Sequence, residues 1–557
     1  MIIADKIFIN GNIHTMEKPG DRAAAVVVYK GEIVYVGSDA GARAYSAKET
    51  VDLNGKTMLP GFTDTHMHLI ADCMSKAKAE LGGARSVAEV VSIMKDFAAE
   101  TDAEWLLGGN LHIENMAEGR FPHRYELDAI DARPVILFSY CYHAQIANSE
   151  ALRRAGIAKG FRPEMEGLVD FYDDGEPNGV IHENTYGLHF ANLVDGDMAL
   201  EANRKSLLKK YLTDYTKRGI TSLQTFSALS EDPLEYVNQY MDLDREGALP
   251  VRVAINSAGS LDRAYHAVSG FGNDKIRIGA KKLFCDGSLG TRTAALLAPY
   301  CDAPDEKGLL VHSQDELTAL VGEAYDYGCD IAIHAIGDGA MEFVLNAIES
   351  VLDARAYDDA GVAVAGPLDE APEGFREAAA RKYRGRYPRF RIIHASLIDP
   401  SHTARIARLP VILDVQPSFV RNWHSLAEAR VGKERSDWLY PLRTFTRNGI
   451  LLTGGSDAPV EPSDPLMGIQ VAVTRSDLGG VPAGGFIPRE KLDVFDAVAL
   501  YTRNAAYCTH EEDRKGTITE GRLADLIVLS DDIFAIDPQR IAATRVEQVY
   551  LGGERVL

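Results

Sequence analysis

Short apolar runs alternate along the middle of the chain with stretches in which apolar residues have helical spacing. Eight such runs end near residues 66, 226, 256, 284, 334, 394, 415 and 455. Between them, apolar positions recur every three or four residues, as in QDELTALVGEAYDYG and GAMEFVLNAIESVLDA. The runs are typical of strands buried on both faces, and the intervening spacing is typical of amphipathic helices. The pattern predicts an α/β fold, a parallel TIM-like (β/α)8 barrel over residues 61–505.

Both ends of the chain have the shorter period of half-buried strands. Residues 1–60 contain ADKIFINGNIHTM, AAAVVVYKGEIVYVG and ETVDLNGKTMLPG, in which turn dipeptides separate the strand-like pieces. Such hairpin signals favour a small antiparallel sheet. Residues 506–557 repeat the style with GTITEGRLADLIVLSDD and RVEQVYLGGERVL. Since neither end has enough apolar residues to bury a sheet alone, we expect one small β-sandwich domain built from both ends.

Two insertions interrupt the predicted barrel. The strand-like pieces EWLLGGNL and RPVILFSYC fall in a long excursion after the first barrel strand, at about 71–200, and predict an inserted subdomain. A second stretch, DDAGVAVAGPLDEAPEGF, is rich in glycine, proline and acidic residues. That composition predicts an exposed loop between barrel strands 5 and 6, within about 353–390.

Composition and charge restrict the partners and the compartment. A chain of 557 residues is too long for one ordinary core, and its formal net charge of −22 argues against nucleic-acid partners and against docking on anionic membranes. Six cysteines are scattered without a C-x-x-C spacing, which suits reduced thiols in the cytoplasm. The first residues lack a signal-peptide pattern, and no apolar run approaches the roughly 18 residues that span a bilayer. We therefore expect a cytoplasmic protein with a small-molecule partner, and a homodimer on base rates.

Ionisable residues fall at the carboxyl ends of five predicted strands, where β/α barrels carry their chemistry. A single histidine after an apolar run is commonly a core residue, and a His-x-His pair arises by chance roughly 0.4 times in a chain of this composition. Six such residues at one end of five strands are not explained as independent core residues. They are His66 and His68 in GFTDTHMHL, Lys282 in GAKKLFCDG, His334 in IAIHAIGDG, His394 in RIIHASL and Asp457 in LLTGGSDAPVEP.

This order of His-x-His, Lys, His, His and Asp over strands 1, 4, 5, 6 and 8 resembles the amidohydrolase superfamily. So does the sandwich built from both chain ends around an interrupted barrel. More narrowly, LPGFTDTHMH, KLFCDGSLGTRTAAL, IHAIGDGA, GGSDAPVEPSDP and GRLADLIVL are similar to the branch that contains the N-substituted formamide deformylases, amidohydrolase family 3. The resemblance covers nearly the whole chain. It is specific for the fold and the metal site and weak for the substrate.

The resemblance implies a metal centre with two divalent ions. Neutral imidazole is a good zinc ligand, so His66 and His68 are expected to hold one ion and His334 and His394 the second, Zn²⁺ or a similar metal. The resemblance also implies that Lys282 reacts with CO₂ to form a carbamate that bridges the two ions. We prefer Lys282 to its neighbour Lys281 because it matches the family's Lys-apolar-Phe-x-Asp-Gly run; a surface lysine is the alternative.

A metal site of this kind predicts hydrolysis of an amide-type C–N bond by an activated water. Asp457 is expected to accept the proton of that water and pass it to the leaving group; the alternative is a helix N-cap before APVEP. Deaminase branches place a glutamate three residues after the strand-5 histidine, where this chain has Gly337, although Asp338 keeps deamination open. We expect a hydrolase of a small N-substituted amide. The alternatives are a mononuclear deaminase or cyclic-amide hydrolase, and a catalytically inactive binding protein with the amidohydrolase fold.

Several further residues are candidates for the substrate pocket. They are His143 and Asn148 in CYHAQIANS, His182 and Glu183 in GVIHEN, and Gln416 and Arg475 beside barrel strand ends. The segment with His143 and Asn148 matches a family segment near the pocket, although Asn148 could instead cap the helix SEALRRAG. Gln416 and Arg475 could contact an acyl or carboxylate group, and His182 with Glu183 could be an ordinary polar loop pair.

Overall fold

The computed structural model describes most of the chain. The described residues are 3–139, 144–162, 169–182, 189–190, 193–194, 201–227, 233–257, 269–360 and 388–557. The chain divides into two compact units, one formed by Met1–Leu69 with Leu212–Leu557 and the other by Ile70–Tyr211. The larger unit carries the barrel and the sheets at the two chain ends.

Eight parallel strands form the barrel and confirm the predicted α/β fold. In chain order they are Phe62–Met67, Ile220–Ser227, Arg252–Ser257, Ile276–Phe284, Ile331–Ala335, Phe390–His394, Val411–Val415 and Leu451–Gly454. Each strand pairs with the next one along the chain, so all eight carboxyl ends lie at one end of the barrel. At that end the first strand meets the loop after the eighth, since the Asp457 N–H donates to the His66 carbonyl (2.7 Å) and the His68 N–H to the Ala458 carbonyl (2.8 Å).

Helices lie between the barrel strands along the chain. The helices of this part of the chain are Glu201–Thr216, Pro233–Arg245, Gln314–Asp326, Asp338–Ala360, Pro400–Ile406, Val420–Ser436, Leu442–Arg447, Pro465–Thr474, Val494–Leu500 and Arg503–Tyr507. Both quoted helical stretches are confirmed. Gln314–Asp326 begins at a capping box in which the Ser313 hydroxyl accepts from the Glu316 N–H and the Glu316 carboxylate accepts from the Ser313 N–H.

The chain ends form two sheets around one core. A four-stranded sheet contains Ile3–Ile9, Ala25–Tyr29, Glu32–Gly37 and Ser46–Asp52, and a six-stranded sheet contains Asn12–His14, Arg22–Ala23, Thr57–Pro60, Leu526–Leu529, Val546–Leu551 and Glu554–Arg555. Phe8 and Val26 of the first sheet pack with Met58, Leu526 and Tyr550 of the second. The expected antiparallel sheet is wrong in detail, because Ile3–Ile9 pairs with Ser46–Asp52 in parallel and so do Asn12–His14 and Thr57–Pro60. The domain boundaries at 60/61 and 505/506 stay a prediction.

The smaller unit is built on a six-stranded sheet. Its strands are Ala79–Glu80, Leu106–Leu111, Val135–Ser139, Ala144–Ala147, Val169–Phe171 and Pro177–His182, and its helices include Val87–Glu100, Arg124–Leu127 and Ser149–Arg154. The strands Leu106–Leu111 and Val135–Ser139 confirm the two strand-like pieces of the first insertion. Most of the second insertion, residues 361–387, lies outside the described residues.

Two general expectations can be compared with the described part of the chain. Every helix in these ranges is too short or too polar to cross a bilayer. The five described cysteines, Cys73, Cys285, Cys301, Cys329 and Cys508, are free thiols. The cytoplasmic location, the homodimer and the lack of nucleic-acid partners stay predictions.

Candidate functional site

Two predicted metal ligands and the predicted proton acceptor meet where the first and eighth barrel strands end. His66 lies in the first strand and His68 directly follows its end, while Asp457 lies in the loop after the eighth strand. The Asp457 Oδ1 atom is 3.2 Å from His66 Nε2 and 3.3 Å from His68 Nε2. One ligand atom from each of the three residues lies within 4.8 Å of the others. Two imidazoles and a carboxylate that converge in this way are a donor set for one cation.

A second histidine pair lies beside this cluster. His334 and His394 are on barrel strands 5 and 6, and their ring centroids are 4.5 Å apart. The ring of His394 is 5.5 Å from that of His66. The structure therefore brings all four predicted histidine ligands together at the carboxyl end of the barrel.

Burial keeps the imidazoles of His66, His334 and His394 neutral. It lowers the pKa of His66 and of His334 well below the ordinary value, and lowers the pKa of His394 to about 3. Burial also raises the pKa of Asp457, but the adjacent imidazoles of His66 and His68 lower it by more, so this pKa lies well below its usual range. At neutral pH the set offers imidazole lone pairs and a carboxylate, which are the protonation states that a metal ion requires.

The remaining ring nitrogens of three histidines are fixed by acceptors. His68 Nδ1 lies 3.0 Å from the Phe226 carbonyl, and His334 Nε2 lies 3.0 Å from the Gly287 carbonyl. A carbonyl oxygen only accepts, so each of these nitrogens carries the proton and donates it. The other nitrogen of each ring, Nε2 of His68 and Nδ1 of His334, keeps its lone pair.

Gln416 fixes His394 in the same way. His394 Nδ1 is 2.7 Å from Gln416 Oε1, and the Gln416 amide nitrogen donates to the Asp414 carbonyl (3.1 Å). The second bond orients the amide, so its oxygen faces His394 and accepts. His394 Nε2 is then the free ligand atom. For His66, the described residues provide no hydrogen-bond partner at the buried Nδ1 atom.

Lys282 lies inside the barrel on the fourth strand. Its side chain is buried, with Nζ 4.9 Å from the ring centroid of Phe226 and 5.0 Å from that of Phe284. The pKa of this ammonium is lowered to about 7, chiefly by burial; Asp457 and Asp414 act to raise it, and the nearby guanidinium of Arg391 acts to lower it. A large share of Lys282 is therefore a neutral amine at neutral pH.

The backbone is strained at two of the six predicted residues. His394 has φ +73° and Asp457 has φ +59°, in the left-handed region that non-glycine residues avoid. Each such residue costs about 1–2 kcal/mol. Gly455 permits the chain before Asp457 to lie against the backbone of His66, because a Cβ atom at Gly455 would lie 2.6 Å from the His66 backbone nitrogen. Strain that the surrounding structure maintains in this way is typical of functional sites. The helix-cap alternative for Asp457 is wrong, since the next helix begins at Pro465 with Asp464 as its N-cap.

A buried ion pair lies under the histidines and was missed by the sequence reasoning. The Arg391 guanidinium donates to an Asp414 carboxylate oxygen, to the Thr65 carbonyl (2.7 Å) and to Gln224 Oε1 (2.7 Å). Arg391 and Asp414 are at most 1% exposed. The pair joins the strands that carry His66, His394 and Gln416, so it holds ligand-bearing strands in register. A charged residue within the apolar runs FRIIH and VILDVQ was the available signal.

Asp286 supports the fifth strand. Its carboxylate accepts from the backbone N–H groups of Ala295 (2.9 Å), Ile336 (3.0 Å) and Gly337 (2.9 Å), and lies 3.4 Å from His334 Nε2. Burial raises the pKa of this carboxyl to about 7, although the backbone hydrogen bonds lower it. Asp286 therefore ties the loop after strand 4 to the loop that follows His334.

The predicted substrate contacts have other positions or partners. His143 and Glu183 lie outside the described residues. Asn148 caps Ser149–Arg154, as the alternative expected, and His182 lies 3.2 Å from Asp170. The Arg475 guanidinium is buried and donates to the carbonyls of Phe486, Tyr440 and Leu439. Gln416 accepts a hydrogen bond from His394. A role in substrate binding stays a prediction for both Gln416 and Arg475, and the hydrogen bonds of neither residue support it.

A separate cavity of about 430 Å³ opens at the amino-terminal end of the last barrel strands. Arg389, Tyr507 and Glu512 are among its lining residues, and none of the six predicted site residues is. Barrel enzymes place their chemistry at the other end, so this cavity is not the candidate active site.

The donor set suits a divalent ion of the Zn²⁺ type. Four imidazoles and an ionised carboxylate provide nitrogen and oxygen ligands, and three of the imidazoles are oriented by a hydrogen bond at the other ring nitrogen. The residues present therefore fit a divalent metal. Among the residues described, one cluster has all its ligand atoms within 4.8 Å of one another. It consists of His66, His68 and Asp457.

Known proteins resemble this chain along its whole length. The model of the amidohydrolase family matches residues 49–557. YtcJ of Bacillus subtilis, which carries the name of an amidohydrolase, is 32% identical over 99% of both chains. The N-substituted formamide deformylase of Arthrobacter pascens is 25% identical over 99% of this chain and 97% of its own.

Solved structures agree with this relationship. An uncharacterized metal-dependent hydrolase from Pyrococcus horikoshii has 28% sequence identity and a TM-score of 0.77, and the match covers 96% of this chain and 99% of that one. The family match, the relatives and this neighbour agree with the barrel fold. The chain belongs to the amidohydrolase family and is a hydrolase.

Proposed function

We propose that this hydrolase is metal-dependent and cleaves the C–N bond of a small N-substituted amide. The observation that carries the proposal is the convergence of four histidines, a buried lysine and an ionised aspartate at the carboxyl end of one barrel. The full-length similarity to a protein named N-substituted formamide deformylase supports the bond type.

The histidines would hold two divalent ions, which we propose to be Zn²⁺. His66 and His68 would bind one ion through their Nε2 atoms, and His334 Nδ1 with His394 Nε2 would bind the other. When bound, such ions supply a Lewis acid for the scissile carbonyl and lower the pKa of a water molecule toward 7.

Lys282 would carry the bridging group. Its neutral amine attacks CO₂, a new N–C bond forms, and one proton leaves the nitrogen for solvent, which gives a carbamate with one negative charge. The lowered pKa of Lys282 supports this step because only the neutral amine is nucleophilic. The carbamate would place an anion, in place of the lysine cation, between the histidine pairs. Its oxygen atoms can bind a metal ion, whereas an ammonium has no lone pair with which to do so.

Asp457 would move the proton of the reaction. The attacking water adds its oxygen to the amide carbon and gives a proton to the Asp457 carboxylate. When the C–N bond breaks, that proton passes to the leaving nitrogen, so an amine and a carboxylic acid are released. The low pKa of Asp457 keeps it ionised before each turnover, as a general base must be.

The second candidate is a mononuclear deaminase or cyclic-amide hydrolase, in which Lys282 stays unmodified. The compact cluster of His66, His68 and Asp457 favours it. Against deamination, the buried Asp338 carboxylate accepts from the backbone N–H groups of Leu297 and Gly339 (both 3.0 Å), a cap-like arrangement at the start of its helix. The number of bound metal ions distinguishes the two candidates.

Replacing Asp457 with Asn tests the proposed proton transfer. We expect the variant to lose amide hydrolysis by at least about 100-fold, the contribution of a general acid–base group, and to keep its fold. Asp464→Asn is the matched control, since Asp464 lies in the same loop but caps a helix. Release of amine from a panel of formamides, N-acyl amines and cyclic imides is the assay. Full activity of Asp457→Asn, or equal loss in Asp464→Asn, would contradict the proposed role.

A further inference from the structure

The cavity at the amino-terminal end of the barrel combines an apolar and a charged lining. Its volume of about 430 Å³ is within the range of small-molecule sites. The apolar part is aliphatic and lies at the start of barrel strands 7 and 8 and just before them: Ile406, Leu409, Val411, Ile412, Ile450 and Leu451. The charged part consists of Arg389, Arg503, Arg522, Glu512 and Asp513. This lining suits a ligand with an aliphatic body and a charged group.

One of the three arginines is already paired within the protein. The Arg389 guanidinium donates to both carboxylate oxygens of Glu512 (2.6 and 3.2 Å) and lies 3.5 Å from the ring centroid of Tyr507. Arg389 is 8% exposed. Its charge is therefore compensated by Glu512, and it is not the group that would hold the charge of a ligand.

The other two arginines bond only to backbone carbonyls in the part of the chain that the structure describes. Arg503 Nη1 donates to the Glu17 carbonyl (2.6 Å), and Arg522 Nη1 donates to the carbonyls of Glu512 and Lys515 (3.0 Å for Lys515). Within the same ranges, the Nε and Nη2 atoms of both guanidiniums have no hydrogen-bond acceptor. Each guanidinium therefore keeps two donor atoms for a ligand.

The charges of the lining do not balance. Burial lowers the pKa of the Arg522 guanidinium, and the neighbouring charge of Arg503 lowers it as well, although nearby carboxylates raise it. The two guanidiniums therefore repel each other. Arg389 and Glu512 compensate each other, which leaves Asp513 against two arginines. One positive charge remains in a chain whose formal net charge is −22, and one negative charge on a ligand would neutralise it.

We propose that this cavity is a second small-molecule site, which binds an organic monocarboxylate with an aliphatic body. The carboxylate would accept charge-assisted hydrogen bonds from Arg503 and Arg522, since the planar guanidinium matches the geometry of a carboxylate. The aliphatic body would lie against the apolar lining and lose its contact with water. The site is at the opposite end of the barrel from the histidines, so it goes beyond the proposed function and does not depend on it.

Isothermal titration calorimetry of the metal-loaded enzyme with octanoate tests the proposal. We expect one octanoate per chain, and binding of acetate and of octan-1-ol that is at least about 10-fold weaker, because acetate lacks the apolar body and octan-1-ol lacks the charge. Arg503→Gln and Arg522→Gln should each raise the dissociation constant of octanoate by about 10- to 100-fold. Neither variant should change amide hydrolysis in the absence of octanoate.

Arg514→Gln is the matched control. Arg514 belongs to the same segment as the lining residues but forms ion pairs with Glu32 and Asp274 (both 3.1 Å) and is not part of the lining. This variant should bind octanoate as the wild type does. Equal affinity of the wild type and both cavity variants would place the octanoate elsewhere, the metal centre included, and would overturn the proposal.

Ala407→Phe tests the same cavity with every arginine in place. Ala407 is half-buried and lines the cavity, so a phenyl ring there should occupy part of the space and weaken octanoate binding by at least about 10-fold. Thermal unfolding confirms that each variant is folded before titration. Octanoate binding that Ala407→Phe leaves unchanged, octan-1-ol binding as tight as that of octanoate, or no octanoate binding to the wild type would each overturn the proposal.

Discussion

Replacing Gln416 with Leu should weaken metal binding without removing a ligand. Gln416 is 1% exposed, and its Oε1 accepts the His394 Nδ1 proton at 2.7 Å. Leucine fills a similar volume but leaves that N–H buried without an acceptor, which costs about 1–3 kcal/mol. His394 can escape this cost by moving the proton to Nε2, and the lone pair that faces the metal is then lost.

Loss of a hydrogen bond that orients a metal ligand typically lowers metal affinity by 10–100-fold. We therefore expect the dissociation constant of Zn²⁺ to rise by about 10- to 100-fold in Gln416→Leu, measured by competition with a chelator of known affinity. Gln416→Glu keeps the acceptor and should stay within a few-fold of the wild type.

Gln470→Leu is the matched control, because Gln470 is equally buried and accepts one backbone N–H, from Ala542 at 2.9 Å. It should lose stability but not metal affinity. Unchanged affinity in Gln416→Leu, or an equal loss in Gln470→Leu, would refute the orienting role of Gln416.

Three further perturbations test other parts of the account. Lys282→Ala should lower bound metal, with partial rescue by a short carboxylic acid, whereas Lys281→Ala should not; full activity of Lys282→Ala would contradict the carbamate. Burial lowers the pKa of His14 from 6.5 to about 4. The neutral ring therefore makes its full contribution to the free energy of unfolding above pH 6.5, and this contribution is lost as pH falls toward 4. Urea denaturation should show that His14→Phe removes about 1–3 kcal/mol of this acid destabilisation, and an unchanged pH slope would exclude it. Arg391→Met should cost about 3–5 kcal/mol of unfolding free energy by leaving Asp414 buried and unpaired, and Arg391→Met with Asp414→Leu should recover most of it; no recovery would show that the ion pair itself is not the cause.

The barrel could be predicted because its strands are buried on both faces. Short apolar runs such as FRIIH and VILDVQ are typical of buried strands. All eight predicted strand ends agree with the observed strands to within one residue. Pairing direction at the chain ends was not encoded in the same way. The alternating pattern of Ile3–Ile9 is compatible with either direction, and tertiary packing makes its pairing with Ser46–Asp52 parallel.

The candidate ligands could be predicted from their positions at strand ends, but the groups that orient them could not. His68 donates to the Phe226 carbonyl, a backbone atom that leaves no signal in the side-chain pattern. The sequence places Gln416 beside a strand end, which favours a substrate contact. Its proximity to His394 depends on the register between strands 6 and 7, which the sequence does not contain. Such contacts between distant parts of the chain require the three-dimensional structure.

The amount of metal per chain tests the central claim most directly. Elemental analysis should use wild-type protein purified with bicarbonate and without chelator, beside Lys282→Ala prepared in the same way. We expect about two divalent ions per wild-type chain and fewer in the variant. One ion in both proteins would contradict the bridged centre, and none after reconstitution would contradict metal-dependent hydrolysis altogether.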